Sequence, residues 1–101
     1  MFLYNITFNI EPEIQEQWIP WMKKEYFTFV MKTGQFEEVK LFRLLNETEN
    51  QGFTYSVQFF SESLDKINHY LQNSAPEIVD KHNLLFKYKH VSFMTILESV
   101  D

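Results

Sequence analysis

The side chains able to do chemistry in this chain are few, and their spacing limits what they can do. His69, His82 and His90 fall on different predicted elements, with no pair at the helical or hairpin spacing of a metal site, so each reads as a histidine on a helix or strand face. There is no cysteine, which excludes a thiolate nucleophile, a disulfide and a thiolate metal site. Glycine occurs only at positions 34 and 52, each beside a turn, so no glycine-rich phosphate loop can form. The serines lack a nucleophile elbow, and Glu37, Glu38, Glu47 and Glu49 lie on a predicted hairpin where solvation accounts for them. General acid–base chemistry is left with one route, a Tyr or His facing a closed pocket. Arg43, the lone arginine, is a solvated charge, an ion-pair partner of Glu38, or an anchor for carboxylate or phosphate if it points into a closed barrel.

A second group of residues is defined by phase. Phe2, Tyr4, Ile6, Phe8 and Ile10 alternate with Leu3, Asn5, Thr7 and Asn9, and Phe53, Tyr55, Val57 and Phe59 alternate with Thr54, Ser56 and Gln58. A strand face in bulk water normally carries Lys and Glu. Small neutral polar groups there point to a surface shielded by a second subunit or a ligand. The candidate ligand-binding residues of this open face are Asn5, Thr7, Asn9, Arg43, Ser56, Gln58 and His90; no metal ligands and no cofactor are expected.

The elements that must hold these groups follow from punctuation and period. After a strand at Phe2 to Ile10, Glu11-Pro12-Glu13 starts a helix, with Pro in the first turn and acids where the macrodipole favours them. Trp18, Met22, Tyr26, Phe29 and Val30 recur at helical spacing, Pro20 predicts a kink or boundary near Trp18, and Thr33-Gly34 caps the end. Phe36 to Asn46 and Phe53 to Phe60 form a hairpin around the acidic turn Glu47 to Gly52. Ser61-Glu62-Ser63 opens a second helix with Leu64, Ile67 and Leu71 on one face. That helix breaks and restarts at Ala75-Pro76, and Ile78, His82 and Leu85 continue the stripe. Tyr88 to Leu97 is the last strand. The order is β-α-β-β-α-β over a single domain of residues 1–101: an α+β ferredoxin-like sandwich, a four-stranded antiparallel sheet with both helices on one face. The strongly apolar strand faces should meet the helices, leaving Asn5, Thr7, Asn9, Thr54, Ser56 and Gln58 on the open side.

Composition narrows the partners. A chain of 101 residues has room for one core, and 18% aromatic content with eleven Phe is heavy for it, so some rings are candidates for an interface or a pocket lining. The net charge of −5 disfavours nucleic acid and anionic membranes. Gln51-Gly52-Phe53-Thr54-Tyr55 has the look of an RNA-recognition strand, but its leading basic residue is missing, and packing beneath helices explains its aromatics better. The Trp18, Trp21 and Met22 cluster reads as core or interface packing. With neither a basic leader nor an apolar stretch of membrane-spanning length, the expected setting is the bacterial cytoplasm.

Several segments together resemble a known pattern. Tyr4-Asn5-Ile6-Thr7, Trp18-Ile19-Pro20-Trp21-Met22-Lys23, Thr33-Gly34-Gln35-Phe36, Arg43-Leu44-Leu45, Thr54-Tyr55-Ser56-Val57-Gln58-Phe59, Ala75-Pro76 and Phe93-Met94-Thr95 resemble an uncharacterised bacterial family, catalogued as domain of unknown function number 4286. The resemblance implies a ferredoxin-like fold of the dimeric α/β-barrel type and no assigned activity. It also marks departures: Tyr26-Phe27-Thr28 stands where the family tends to have His-Ile-Pro, and Met94 where it tends to have Arg, so a site built on that His and Arg would be lost here. Haem-binding proteins with a histidine ligand occur among dimeric α/β barrels, which makes His90 a residue to locate, although no motif supports haem. The functional expectation is a small homodimer that binds a small molecule or serves as an association module through its open sheet face. The alternative is a cofactor-independent monooxygenase- or isomerase-like enzyme of the same fold type.

Overall fold

The computed structural model describes residues 1–46 and 52–101. Strand β1 (Phe2–Ile10) leads through a short 3-10 turn (Pro12–Ile14) into helix α1 (Gln15–Trp21), a wide π turn (Met22–Tyr26) and helix α2 (Phe27–Lys32). Strands β2 (Glu38–Arg43) and β3 (Phe53–Ser61) follow, then helices α3 (Leu64–Asn73) and α4 (Ala75–Leu85) and strand β4 (His90–Glu98). The four strands pair antiparallel in the order β2-β3-β1-β4, which puts β1 in the interior of the sheet and β4 on one edge. This is the ferredoxin-like α+β sandwich.

Parity on the two long strands sets the layers. Tyr4, Ile6, Phe8 and Ile10 of β1 lie beside Phe59, Val57, Tyr55 and Phe53 of β3, and all but the half-buried Phe53 are buried beneath the helices. Asn5, Thr7, Asn9, Thr54, Ser56 and Gln58 occupy the opposite, open face, as the phase of the sequence predicts. The aromatic pair with RNA-motif looks, Phe53 and Tyr55, sits on the helical side.

Helix boundaries come from identifiable residues. Pro20 lies inside α1 on an exposed position, and the irregularity expected near Trp18 falls after it, as the π turn at Met22–Tyr26. Proline removes the N–H that would bond the carbonyl four residues back, and at a solvent-facing position that loss does not break the helix. The wide turn has a packing consequence: Trp18, Met22, Tyr26 and the adjacent Phe27 are all buried, so two consecutive residues face inward. Thr33 and Gly34 cap α2 as expected, with Gly34 at φ +78 and its N–H donating to the Met31 carbonyl at 3.2 Å. Ser63 caps α3 by accepting from the Lys66 N–H at 3.1 Å, and Ser74 separates α3 from α4, with Pro76 in the first turn of α4.

The edge strands differ from the predicted bounds: β2 is shorter at both ends than Phe36 to Asn46, stopping at Arg43, and β4 starts two residues after Tyr88 and runs one past Leu97. β2 starts at Glu38 because Phe36 turns into the core, and β4 starts at His90 because Tyr88 takes a left-handed φ of +65 that ends the preceding segment. Leu85, assigned from its spacing to the apolar stripe, is exposed, and Phe86 is buried instead. The acidic turn at Glu47 to Gln51 lies outside the described residues. Among those described, no helix is long and apolar enough to cross a membrane.

The two glycines make a paired test. Both hold positive φ, but a Cβ on Gly34 meets open space whereas one on Gly52 would collide with the Ile10 carbonyl. We expect Gly34→Ala to cost about 1 kcal/mol in urea unfolding, the conformational term alone, and Gly52→Ala about 2–3 kcal/mol. Equal costs would contradict the close approach of Gly52 to the Ile10 carbonyl of β1.

Candidate functional site

A fully buried polar contact joins two helices across the core. The Trp18 indole Nε1 donates to His82 Nε2 at 2.9 Å, tying α1 to α4, and both residues are fully buried. An indole can only donate, so His82 Nε2 carries the lone pair and the ring proton sits on Nδ1, which faces the Asn83 Oδ1 at 3.2 Å. Aromatic rings enclose this imidazole: Phe8 at 5.1 Å, Phe86 at 5.2 Å, and His90 edge-on at 4.5 Å between centroids. Burial lowers the His82 pKa to about 4, the Asn83 contact opposes that shift, and a charge on His90 would add to it. His82 is therefore a neutral hydrogen-bonding group at physiological pH.

Beside His82 a cavity of about 260 Å³ opens between the sheet and the helices, toward the edge where β4 extends past its cover. Tyr4, Ile6 and Phe8 of β1 form its floor with Ser92 and Met94 of β4. Tyr26 from the π turn and Val79, His82 and Asn83 from α4 form its roof. The π turn places Tyr26 here. Burial raises the Tyr4 pKa to about 12 and the Tyr26 pKa well above the ordinary phenol value, the latter with smaller contributions from nearby Tyr4 and Tyr70. Tyr70, behind the cavity wall, packs its ring 5.8 Å from that of Tyr4 and has a buried hydroxyl without a partner. Of the four buried tyrosines, only Tyr55 has its hydroxyl bonded among the described residues, to Gln15 Nε2 at 2.7 Å.

The residues singled out in the sequence divide between the two faces. Asn5, Thr7, Asn9, Ser56 and Gln58 are together on the open face. Gln58 Nε2 donates to Ser56 Oγ (3.2 Å), Ser56 Oγ to Asn5 Oδ1 (2.6 Å), and Asn5 Nδ2 reaches Thr95 Oγ1 (3.3 Å) and Thr7 Oγ1 (3.2 Å), while Asn9 Nδ2 donates to Thr54 Oγ1 (2.9 Å). Their polar atoms are largely spent on one another. Arg43 and His90 are not with them: Arg43 pairs with Tyr55 and His90 with Ile10, which puts both on the helical side. The Arg43 guanidinium lies over the Phe53 ring at 4.7 Å, and Glu38 lies 3.9 Å from Lys40. His90 Nδ1 is buried without a partner, and burial lowers its pKa.

The sequence places His82, Tyr4 and Tyr26 on core faces, and two signals bear on a site there: the surplus of aromatics, which suggests a pocket lining without locating it, and the departure at Tyr26 from the resembled pattern. Both departures from the resembled pattern, Tyr26 and Met94, line the cavity. Among the described residues no group of three His, Asp or Glu side chains could hold a metal.

Two outcomes follow from these burials. His82 is neutral above pH 6.5 whether folded or not; below that, the unfolded ring takes a proton that the folded ring refuses until about pH 4. The unfolded state then binds more protons, so stability falls with acid across this window, by up to about 1.4 kcal/mol per pH unit, and His90 adds in the same direction. Urea unfolding at pH 7.5, 6 and 5 should show this slope, reduced in His82→Gln, which keeps an acceptor for Trp18; equal slopes would contradict the assignment. Tyr70→Phe should raise stability by about 1–2 kcal/mol by deleting a buried hydroxyl that has no partner, and a loss of that size would mean the hydroxyl is bonded in solution.

Comparison with solved structures agrees with the topology. A ferredoxin-like protein described as dimeric, from an uncultured marine organism, superposes with a TM-score of 0.74 at 14% identity, covering 99% of this chain and 95% of that one. SnoaB from Streptomyces nogalater, described as a cofactor-independent oxygenase, gives 0.67 at 11% identity with 99% and 93% coverage. A hydroxynitrile lyase from Passiflora edulis gives 0.65 at 16% identity with 99% and 96% coverage. At such identities the likeness shows the fold alone, and a lyase and an oxygenase on one scaffold assign no activity. No curated protein matches the chain. The family model described as "Domain of unknown function (DUF4286)" matches residues 1–100, and the chain belongs to that family.

Proposed function

We propose that this chain is a single-domain, small-molecule-binding protein that works as a homodimer, with its sheet faces in contact and its ligand seated on the helical side in the Tyr4, Tyr26 and His82 cavity. The observation that carries this reading is the chemistry of the cavity: buried phenols on an apolar floor, with no base free to act among its described lining residues. Proton abstraction needs a group with a pKa near neutrality facing the substrate. His82 has its lone pair engaged by Trp18, and the tyrosines stay protonated. Binding is therefore favoured over the oxygenase- or isomerase-like alternative.

The dimer half of the proposal rests on the open face. Its Asn5, Thr7 and Ser56 ladder is flanked by exposed Val91, Phe93, Leu97 and Phe42, an apolar margin around a neutral polar centre. Only Glu38 and Lys40 bring charge to this face among the described residues, and they offset each other, so two copies of a chain with net charge −5 can meet here without repulsion. Four strands of up to nine residues give a footprint of roughly 600 Å², comparable with the ~800 Å² each partner contributes to a stable interface. The structural neighbour described as dimeric supports the same reading.

Native mass spectrometry beside the denatured mass tests both halves. We expect a dimer for the wild type, with retained non-covalent mass when a ligand is carried through purification. Thr7→Glu, which would set like charges together at the centre of the contact, should yield a folded monomer with unchanged far-UV circular dichroism. A monomeric wild type would end the dimer reading.

A further inference from the structure

The hydroxyls around the cavity define what it can hold. Tyr4, Tyr26 and Tyr70 are each no more than 3% exposed, and none of their hydroxyls is bonded among the described residues. The Tyr26 hydroxyl is close enough to those of Tyr4 and Tyr70 for their charges to oppose its ionisation. Buried polar groups in native proteins are nearly always paired. Tyr4 and Tyr26 line the cavity, so their two phenols are donors with no protein acceptor among the described residues that a bound molecule can reach, while the Tyr70 hydroxyl lies buried and unpaired behind them. A protonated phenol makes its strongest bond by donating, so the complementary atom is an oxygen with exposed lone pairs.

Charge then separates the acceptors. No Lys or Arg lines the cavity, and His82 is neutral there. A carboxylate or phosphate would enter an apolar, uncompensated site and lose its hydration without a counter-charge. A carbonyl oxygen has two lone pairs, carries no net charge and can accept from two phenols at once. Ile6, Phe8, Val79 and Met94 supply the apolar walls for the rest of the molecule, and the volume is at the small end for ligand sites.

We propose that the cavity takes a small, neutral, mostly apolar carbonyl compound, held through its oxygen by hydrogen bonds from Tyr26 and Tyr4. This rests on the ligand seat proposed above and adds its chemical class. Tyr70 backs the pair, placing its own hydroxyl near theirs.

A matched probe set separates the two claims: 2-acetylnaphthalene, 2-ethylnaphthalene and 2-naphthoate, three bodies of similar shape that differ in the acceptor. Binding is read by quenching of Trp18 and Trp21 fluorescence in the wild type, in the Tyr4→Phe/Tyr26→Phe double variant and in Met94→Trp, which fills the cavity mouth. The ketone should bind about tenfold more tightly than the hydrocarbon. The double variant should bring that ratio close to one while leaving hydrocarbon affinity unchanged, and Met94→Trp should weaken both. Equal affinity for ketone and hydrocarbon in the wild type overturns the carbonyl assignment and leaves the seat standing. Tightest binding by 2-naphthoate does the same and turns the donors toward anions. No binding by any probe, or binding indifferent to Met94→Trp, overturns the seat as well.

Discussion

A single hydrogen bond, from the Trp18 indole to the His82 imidazole, holds α1 and α4 in register with each other over the sheet. Both partners are fully buried, so breaking the bond would leave a donor and an acceptor without water to replace it, a penalty of about 1–3 kcal/mol for each. Apolar contacts around it are non-directional and tolerate sliding; this one does not. It fixes which face of α4 meets α1, and thereby which α4 residues, Val79, His82 and Asn83, roof the cavity over Tyr4, Ile6 and Phe8.

The space itself comes from two local irregularities. The π turn at Met22–Tyr26 widens the helix and swings Tyr26 to the cavity rim while Trp18 and Met22 stay in the core. Strand β4 then runs past the helical cover, so that Met94 and Ile96 on its helical side remain partly exposed and the cavity opens there. On the other side of the sheet the same strand contributes Val91, Phe93 and Leu97 to the margin of the open face. One edge strand thus borders both surfaces to which a function is assigned, the helical-side cavity and the sheet face.

Much of this scaffold was legible in the residues. Alternation along Phe2 to Ile10 and Phe53 to Phe60 gave the buried face, Thr33-Gly34 the first helix end, and Ala75-Pro76 the break in the second. Those signals are local, set by side-chain period and backbone preference. The site was not legible, because it depends on register. His90 and Arg43 take their faces from pairing with Ile10 and Tyr55, partners 80 and 12 positions away in the chain, and no strand carries its partner's phase. Helical spacing puts Tyr26 on the inward stripe with Trp18 and Met22 but does not say that this stripe ends at a cavity, nor that a π turn follows. His82 looks in sequence like any residue on an apolar stripe, and only its contact with Trp18, 64 positions away, makes it an acceptor.

The claim most open to direct measurement is that His82 is a neutral imidazole with its proton on Nδ1 and its Nε2 bonded to Trp18. Long-range proton–nitrogen NMR of the histidine rings, recorded from pH 8 to 4, observes both features. The geometry requires a His82 ring in the Nδ1–H tautomer that stays neutral until the pH approaches about 4, with a Trp18 indole proton protected from exchange. A His82 that titrates near 6.5, or an Nε2–H tautomer, would contradict the bond on which the cavity depends.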